Sequence, residues 1–133
     1  MTDTQVMTLT DFLLARISED EDAAAAAQSH PGTSLTEGWV VDAASDFIGR
    51  RRVLRSGHTR YMQPVATDVA GHRALHIARF DPARVLAECA AKRRIVERHT
   101  ACDETSFGEP CADLRDLAAV YANHPEWREG WRP

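Results

Sequence analysis

A histidine and two cysteines stand in the pattern H-x2-C-x8-C, as His99, Cys102 and Cys111. Imidazole and thiolate suit zinc, which in a structural site takes four donors in a tetrahedron. The pattern supplies three, so Cys89 or His124 is the candidate fourth ligand. Against this stands a plainer reading, an apolar Cys111 at the start of a helix stripe beside an ordinary polar loop. Cys102 and Cys111 are also spaced so that oxidation could join them. His72 and His76 lie four residues apart, hence on one face of a helix, a spacing that clamps a metal or simply packs. They lack the glutamate of the H-E-x-x-H zinc protease motif. The expectation is a chain with no resident cofactor, with zinc at His99, Cys102 and Cys111 as the alternative.

Cations form the second constellation. Arg50, Arg51, Arg52 and Arg55 precede Tyr61, a basic strand with an aromatic of the kind that binds nucleic acid. A sequence pI near 5.8 opposes that reading, as does the lack of a recognised nucleic-acid fold. At 100° per residue Arg84, Arg94 and Arg98 share one face of a helix beginning near residue 82, opposite its apolar stripe. The candidate binding residues are therefore Arg84, Arg94 and Arg98 with Arg50 and Arg52. The net charge of −4 hides a segregation: residues 1–46 carry nine acids and one base, 47–99 twelve bases and four acids, and 100–133 seven acids and three bases. Either the acidic ends fold back over the basic middle, or a basic face is left for an anionic partner. The expected outcome is the first, with acids of 19–22 or 103–109 covering the arginine face.

Catalytic patterns are missing. There is no G-x-S-x-G, no P-loop and no G-x-G-x-x-G. Cys102 and His99 would make a nucleophile and base, but such partners meet through the fold rather than by closeness in sequence. The chain is not expected to be an enzyme.

The elements that must position these residues read as follows. Thr8 to Asp11 opens a helix in the manner of a capping box. Leu9, Phe12, Leu13 and Ile17 form its apolar stripe, Ala23 to Ala27 its last turns, and His30-Pro31-Gly32 its stop. Trp39-Val40-Val41, Arg52-Val53-Leu54 and Tyr61-Met62 read as three short strands of an antiparallel meander, with turns at Asp46 to Gly49 and Ser56-Gly57-His58. A short helix spans about Ala70 to Arg79. Asp81 as N-cap and Pro82 at the first helical position then restart helix, with Val85, Leu86, Cys89 and Val96 on its stripe. Cys89 belongs there as a small hydrophobe. The last helix begins near Pro110, follows Cys111, Leu114, Leu117, Ala118 and Tyr121, and ends at Asn123-His124-Pro125. The tail EWREGWRP is either docked by its indoles or held out for a partner.

The sum is α+β: an N-terminal helix, a three-stranded meander, then three helices packed on the sheet. A length of 133 residues implies a single domain, and 44% hydrophobic with 27% charged residues is the balance of a soluble globular protein. No apolar run is long enough to span a membrane. The start MTDTQVMTLTD has neither a basic nor an apolar segment, so no secretory signal is expected, and three cysteines then point to reduced thiols in the cytoplasm.

Two stretches, ALHIARFDPARVLAECAAKRRIVERH at 74–99 and PCADLRDLAAVYANHPEWREGWRP at 110–133, resemble a family of small uncharacterised proteins from high-GC actinobacteria and their phages. That family carries only a domain-of-unknown-function label. Its members tend to open with a helix ending in a Pro-Gly-Trp-like element, whereas here six residues separate Pro31-Gly32 from Trp39. The resemblance implies an architecture and no activity. The functional expectation is a small cytoplasmic accessory protein acting by binding a protein partner, as a homodimer, with no catalysis and no membrane association. The alternative is a protein that binds nucleic acid or an anionic nucleotide through the arginine-rich middle segment.

Overall fold

Helix α1 (Leu9–Gln28) starts where the sequence places it. The Thr8 N–H donates to Asp11 Oδ2 at 3.3 Å and the Asp11 N–H donates to Thr8 Oγ1 at 3.1 Å, the reciprocal pair of a capping box. The computed structural model describes residues 6–28, 38–42, 49–58, 62–99 and 111–133. After α1 come β1 (Trp39–Val41), β2 (Arg50–Arg55) and β3 (Ala66–Ala70), then α2 (Gly71–Arg79), α3 (Pro82–Arg98) and α4 (Ala112–Ala119). The protein is α+β, its sheet antiparallel in the order β1-β2-β3. None of its described helices is long and apolar enough to cross a membrane. The chain divides into two units, Asp22–Ala87 on the one hand and Met1–Glu21 with Glu88–Pro133 on the other.

The first of these holds the sheet. Helix α2 lies across all three strands. Val53, Ala74 and Ala78 are buried between them, with Trp39, Val41, Val65, Ala66, Val69 and Ile77 packed around. The third strand differs from expectation. Tyr61 lies outside the described residues, Met62 is in a bend, and β3 runs from Ala66 instead. Its register shows why alternation does not reveal it. Arg51 pairs with Val69 and Val53 with Ala66, so β3 carries one extra residue. Asp68 takes it up with φ of 56°, a conformation aspartate tolerates better than most. Ala66 and Val69 then reach the same core though three residues apart. Arg50 holds the bulge from β2, its guanidinium 3.4 Å from Asp68 Oδ1 and 3.3 Å from the Asp68 carbonyl. At the end of β2 the chain turns through Ser56-Gly57, where Gly57 has φ of 77°.

Asp81 ties β1 to the start of α3. Its Oδ1 accepts the Arg84 N–H at 2.8 Å, as an N-cap should, and its Oδ2 accepts the Trp39 N–H at 3.0 Å. Gly38 permits this approach, since a Cβ there would stand 3.2 Å from Asp81 Oδ2. Asp81→Ala should therefore lose both a cap and the partner of a strand amide, about 2 kcal/mol together. Asp81→Asn keeps the cap but has one acceptor oxygen for two donors, and should fall between. Urea unfolding of the three proteins checks the order. Equal midpoints for Asp81→Ala and the parent would refute the clamp.

In the other unit, Leu9, Phe12, Leu13 and Ile17 of α1, Cys89 and Val96 of α3, and Leu114 and Ala118 of α4 are all buried. The C-terminal tail is docked. Trp131, 6% exposed, closes on Phe12 at 5.0 Å between ring centroids, and Trp127 does so at 5.9 Å. Buried Arg16 donates to Glu19 at 2.9 Å and to Glu126 at 3.2 Å, and its guanidinium stands 5.2 Å over the Phe12 ring. Asp20 accepts from the Tyr121 hydroxyl at 2.7 Å. Burial first, and that carboxylate second, push the Tyr121 hydroxyl above its ordinary range.

Candidate functional site

Helix α3 ends at Arg98, and His99 continues its last turn with its N–H directed at the carbonyls of Ile95 and Val96, 3.2 and 3.0 Å away. Cys111 stands at the opposite kind of end, as the N-cap of α4. Ser, Thr, Asp and Asn fill that position best, because their side-chain oxygens accept a helix N–H. Cys111 makes no such cap bond. Its Sγ lies 3.5 Å from His99 Nδ1 instead. Two residues on, in the first turn of α4, Asp113 places Oδ2 3.4 Å from His99 Nε2.

Thiol, imidazole and carboxylate thus converge, and one ligand atom from each can be chosen so that all lie within 4.8 Å of one another. Beside them opens a pocket of about 440 Å³ lined by Ile95, Arg98, His99, Asp113, Asp116 and Leu117. His99 and Cys111 meet as their pattern suggests, while Cys102 lies outside the described residues. The proposed fourth ligands are placed elsewhere. Cys89 is 1% exposed in the core, its thiol pushed up by burial and then by Asp20. His124 packs edge-on against Phe12 with Arg16 Nη1 2.6 Å from its Nε2. Asp113 escaped the sequence reading because a single surface carboxylate carries no spacing signal. The cue that was available is its place two residues after a cysteine that starts a helix.

His72 and His76 are both exposed on α2, and His76 stacks on Phe80 with centroids 4.7 Å apart. The arginine set divides. Arg52 donates to Asp42 at 3.1 Å and Arg50 pairs with Asp68, as described above. Arg84 lies 4.3 Å over the Phe80 ring and reaches the Arg79 carbonyl at 3.4 Å. Arg94 and Arg98 are exposed and meet no acid among the described residues. Of the acids expected to cover this face, Glu19 goes to Arg16, Asp20 to Tyr121, and Glu21 to Arg93 at 2.6 Å. Residues 103–109 lie outside the described residues.

No curated protein and no solved structure matches the chain. One family does, under the description "Family of unknown function (DUF6221)", over residues 6–133. With nearly its whole length matched, the chain belongs to that family.

Proposed function

We propose that the protein is a small cytoplasmic accessory protein that acts by binding rather than by catalysis, and that its contact surface includes Arg94 and Arg98, offered to acidic groups of a protein partner. One observation carries this reading. Arg16, Arg50, Arg52 and Arg93 each sit against a carboxylate, whereas Arg94 and Arg98 are exposed on α3 without one among the described residues. An exposed guanidinium that meets no carboxylate among the described residues is suited to planar, bidentate capture of a partner's carboxylate. The pairing of Arg50 and Arg52 with acids of their own sheet weakens the nucleic-acid alternative, since it removes much of the positive field from β2. Leu75 and Phe80, 58% and 45% exposed on and just after α2, support a homodimer as part of the same reading.

The test uses poly-glutamate and a short DNA duplex as probes, each at several salt concentrations, with sedimentation of the protein alone. Poly-glutamate should bind, and the double variant Arg94→Ala/Arg98→Ala should bind roughly tenfold more weakly with an unchanged melting temperature, as expected for two exposed ion pairs. Tight duplex binding that falls steeply with salt would replace this reading with the nucleic-acid one. Binding of neither probe would overturn both, and a monomer at tens of micromolar would remove the dimer.

A further inference from the structure

We propose that His99, Cys111 and Asp113 form a mononuclear zinc site whose remaining coordination opens toward the pocket beside them. This goes beyond the reading of the arginine face and does not depend on it.

The donor set selects the metal. A thiolate excludes magnesium and calcium, which take oxygen, and a carboxylate disfavours copper(I), which prefers soft sulfur. Imidazole, thiolate and carboxylate are all ordinary zinc ligands.

The distances fit as well. Zinc–sulfur and zinc–nitrogen bonds of about 2.3 and 2.0 Å put the two ligand atoms about 3.5 Å apart round a tetrahedron. Cys111 Sγ and His99 Nδ1 are already 3.5 Å apart. The longest separation within the three-atom set, up to 4.8 Å, must close by about 1 Å. Asp113 can supply that movement, because its side chain is 64% exposed on the first turn of α4. The two cysteine and histidine positions are the fixed part of the site. His99 is carried on the last turn of α3, and Cys111 is anchored where Arg115 N–H meets its carbonyl at 3.0 Å.

Cys111 also lacks a better explanation. It occupies an N-cap, makes no cap bond, and is only partly buried, so neither capping nor core packing accounts for a thiol there. Three protein ligands leave a fourth position for water or an exogenous donor, the arrangement of an open rather than a closed zinc site. In this chain the pocket beside the site carries both Arg98 and Asp116 on its wall, a cation and a carboxylate that leave water or a neutral donor as acceptable there as an anion.

The experiment is zinc uptake by the full chain, purified without chelator, dialysed against zinc and measured by elemental analysis and by competition with a chromogenic chelator. One zinc per chain is expected, and cobalt in its place should show thiolate charge-transfer absorption in the near ultraviolet. His99→Ala and Cys111→Ser should each weaken binding by more than about tenfold, and Asp113→Asn by about tenfold, with circular dichroism reporting whether each variant is folded. Cys102→Ser, Asp116→Asn and the Arg94→Ala/Arg98→Ala pair should keep the metal, the last separating this site from the arginine face. The proposal fails if the parent retains no zinc, if retention survives His99→Ala and Cys111→Ser, or if Cys102→Ser loses as much as Cys111→Ser.

Discussion

Phe12→Ala is expected to lower the unfolding free energy by about 3–5 kcal/mol, the range for deleting a buried aromatic ring. Phe12 is fully buried, and its ring is the surface on which the C-terminal segment docks. Tyr121, His124, Trp127 and Trp131 all meet it, with centroid distances of 6.4, 5.7, 5.9 and 5.0 Å. Removing the ring takes away its own burial and leaves a cavity that two indoles cannot collapse into without abandoning each other, since they are stacked edge to face at 5.8 Å. Trp131→Ala should lose a similar amount. The double variant should lose clearly less than the sum, because both changes dismantle one cluster. Denaturant titration followed by tryptophan emission reads the result, with Trp127 and Trp131 shifting to the red in the folded Phe12→Ala protein. A loss under about 1 kcal/mol would mean that the tail is not held by this ring.

The second large effect is expected at Cys89. Cys89→Asp should cost about 3–5 kcal/mol, the penalty seen when a charge is buried without a partner. The site is 1% exposed, and Asp20 and Glu21 already act on the thiol with the same sign. A carboxylate there would be desolvated and repelled at once, with Lys92 and Arg93 offering partial relief. Cys89→Ala, which removes only a sulfur, should cost roughly 1 kcal/mol and serves as the control for packing. Thiol labelling of the folded protein gives an independent readout: Cys111 should react well before Cys89. Equal stability of Cys89→Asp and Cys89→Ala, or rapid labelling of Cys89, would place this thiol outside the core.

What could be read from the chain follows the range of the forces involved. The Thr8 and Asp11 cap, the Asp81-Pro82 restart and the apolar stripe through Cys89 and Val96 are set within a turn or two of helix, and all are found. Val53 and Trp39 lie in strands as their β-branched and aromatic character suggests. The third strand could not be read. Ala66-Thr67-Asp68-Val69-Ala70 has weak strand propensity, and its bulge removes the alternation that would have betrayed a half-buried strand. Tyr61-Met62 looked the better candidate on residue type alone, yet β2 pairs where Val65, Ala66 and Val69 can reach the core beneath α2. The candidate site divides in the same way. Two of its members were legible as a thiol and an imidazole in a suggestive pattern. Asp113 was not, because its partnership with His99 exists only once the end of α3 and the start of α4 are together. Arg16 shows the limit for charges. The sequence shows it only as the one base in a strongly acidic stretch, and it is buried with Glu126, 110 positions away, as one of its partners.

The bulge at Asp68 has a consequence for how this protein behaves in a crowd. A three-stranded sheet has two outer edges, each a row of amides and carbonyls ready to template a foreign strand. Here β1 offers an edge of three residues, too short to nucleate much pairing. β3 is the other edge, and Thr67 and Asp68 break its run with two consecutive exposed polar residues and a left-handed kink clasped by Arg50. An incoming strand would have to match that kink and take an aspartate into its ladder. The feature that hid β3 from the sequence is thus also what keeps copies of the sheet from growing into one another.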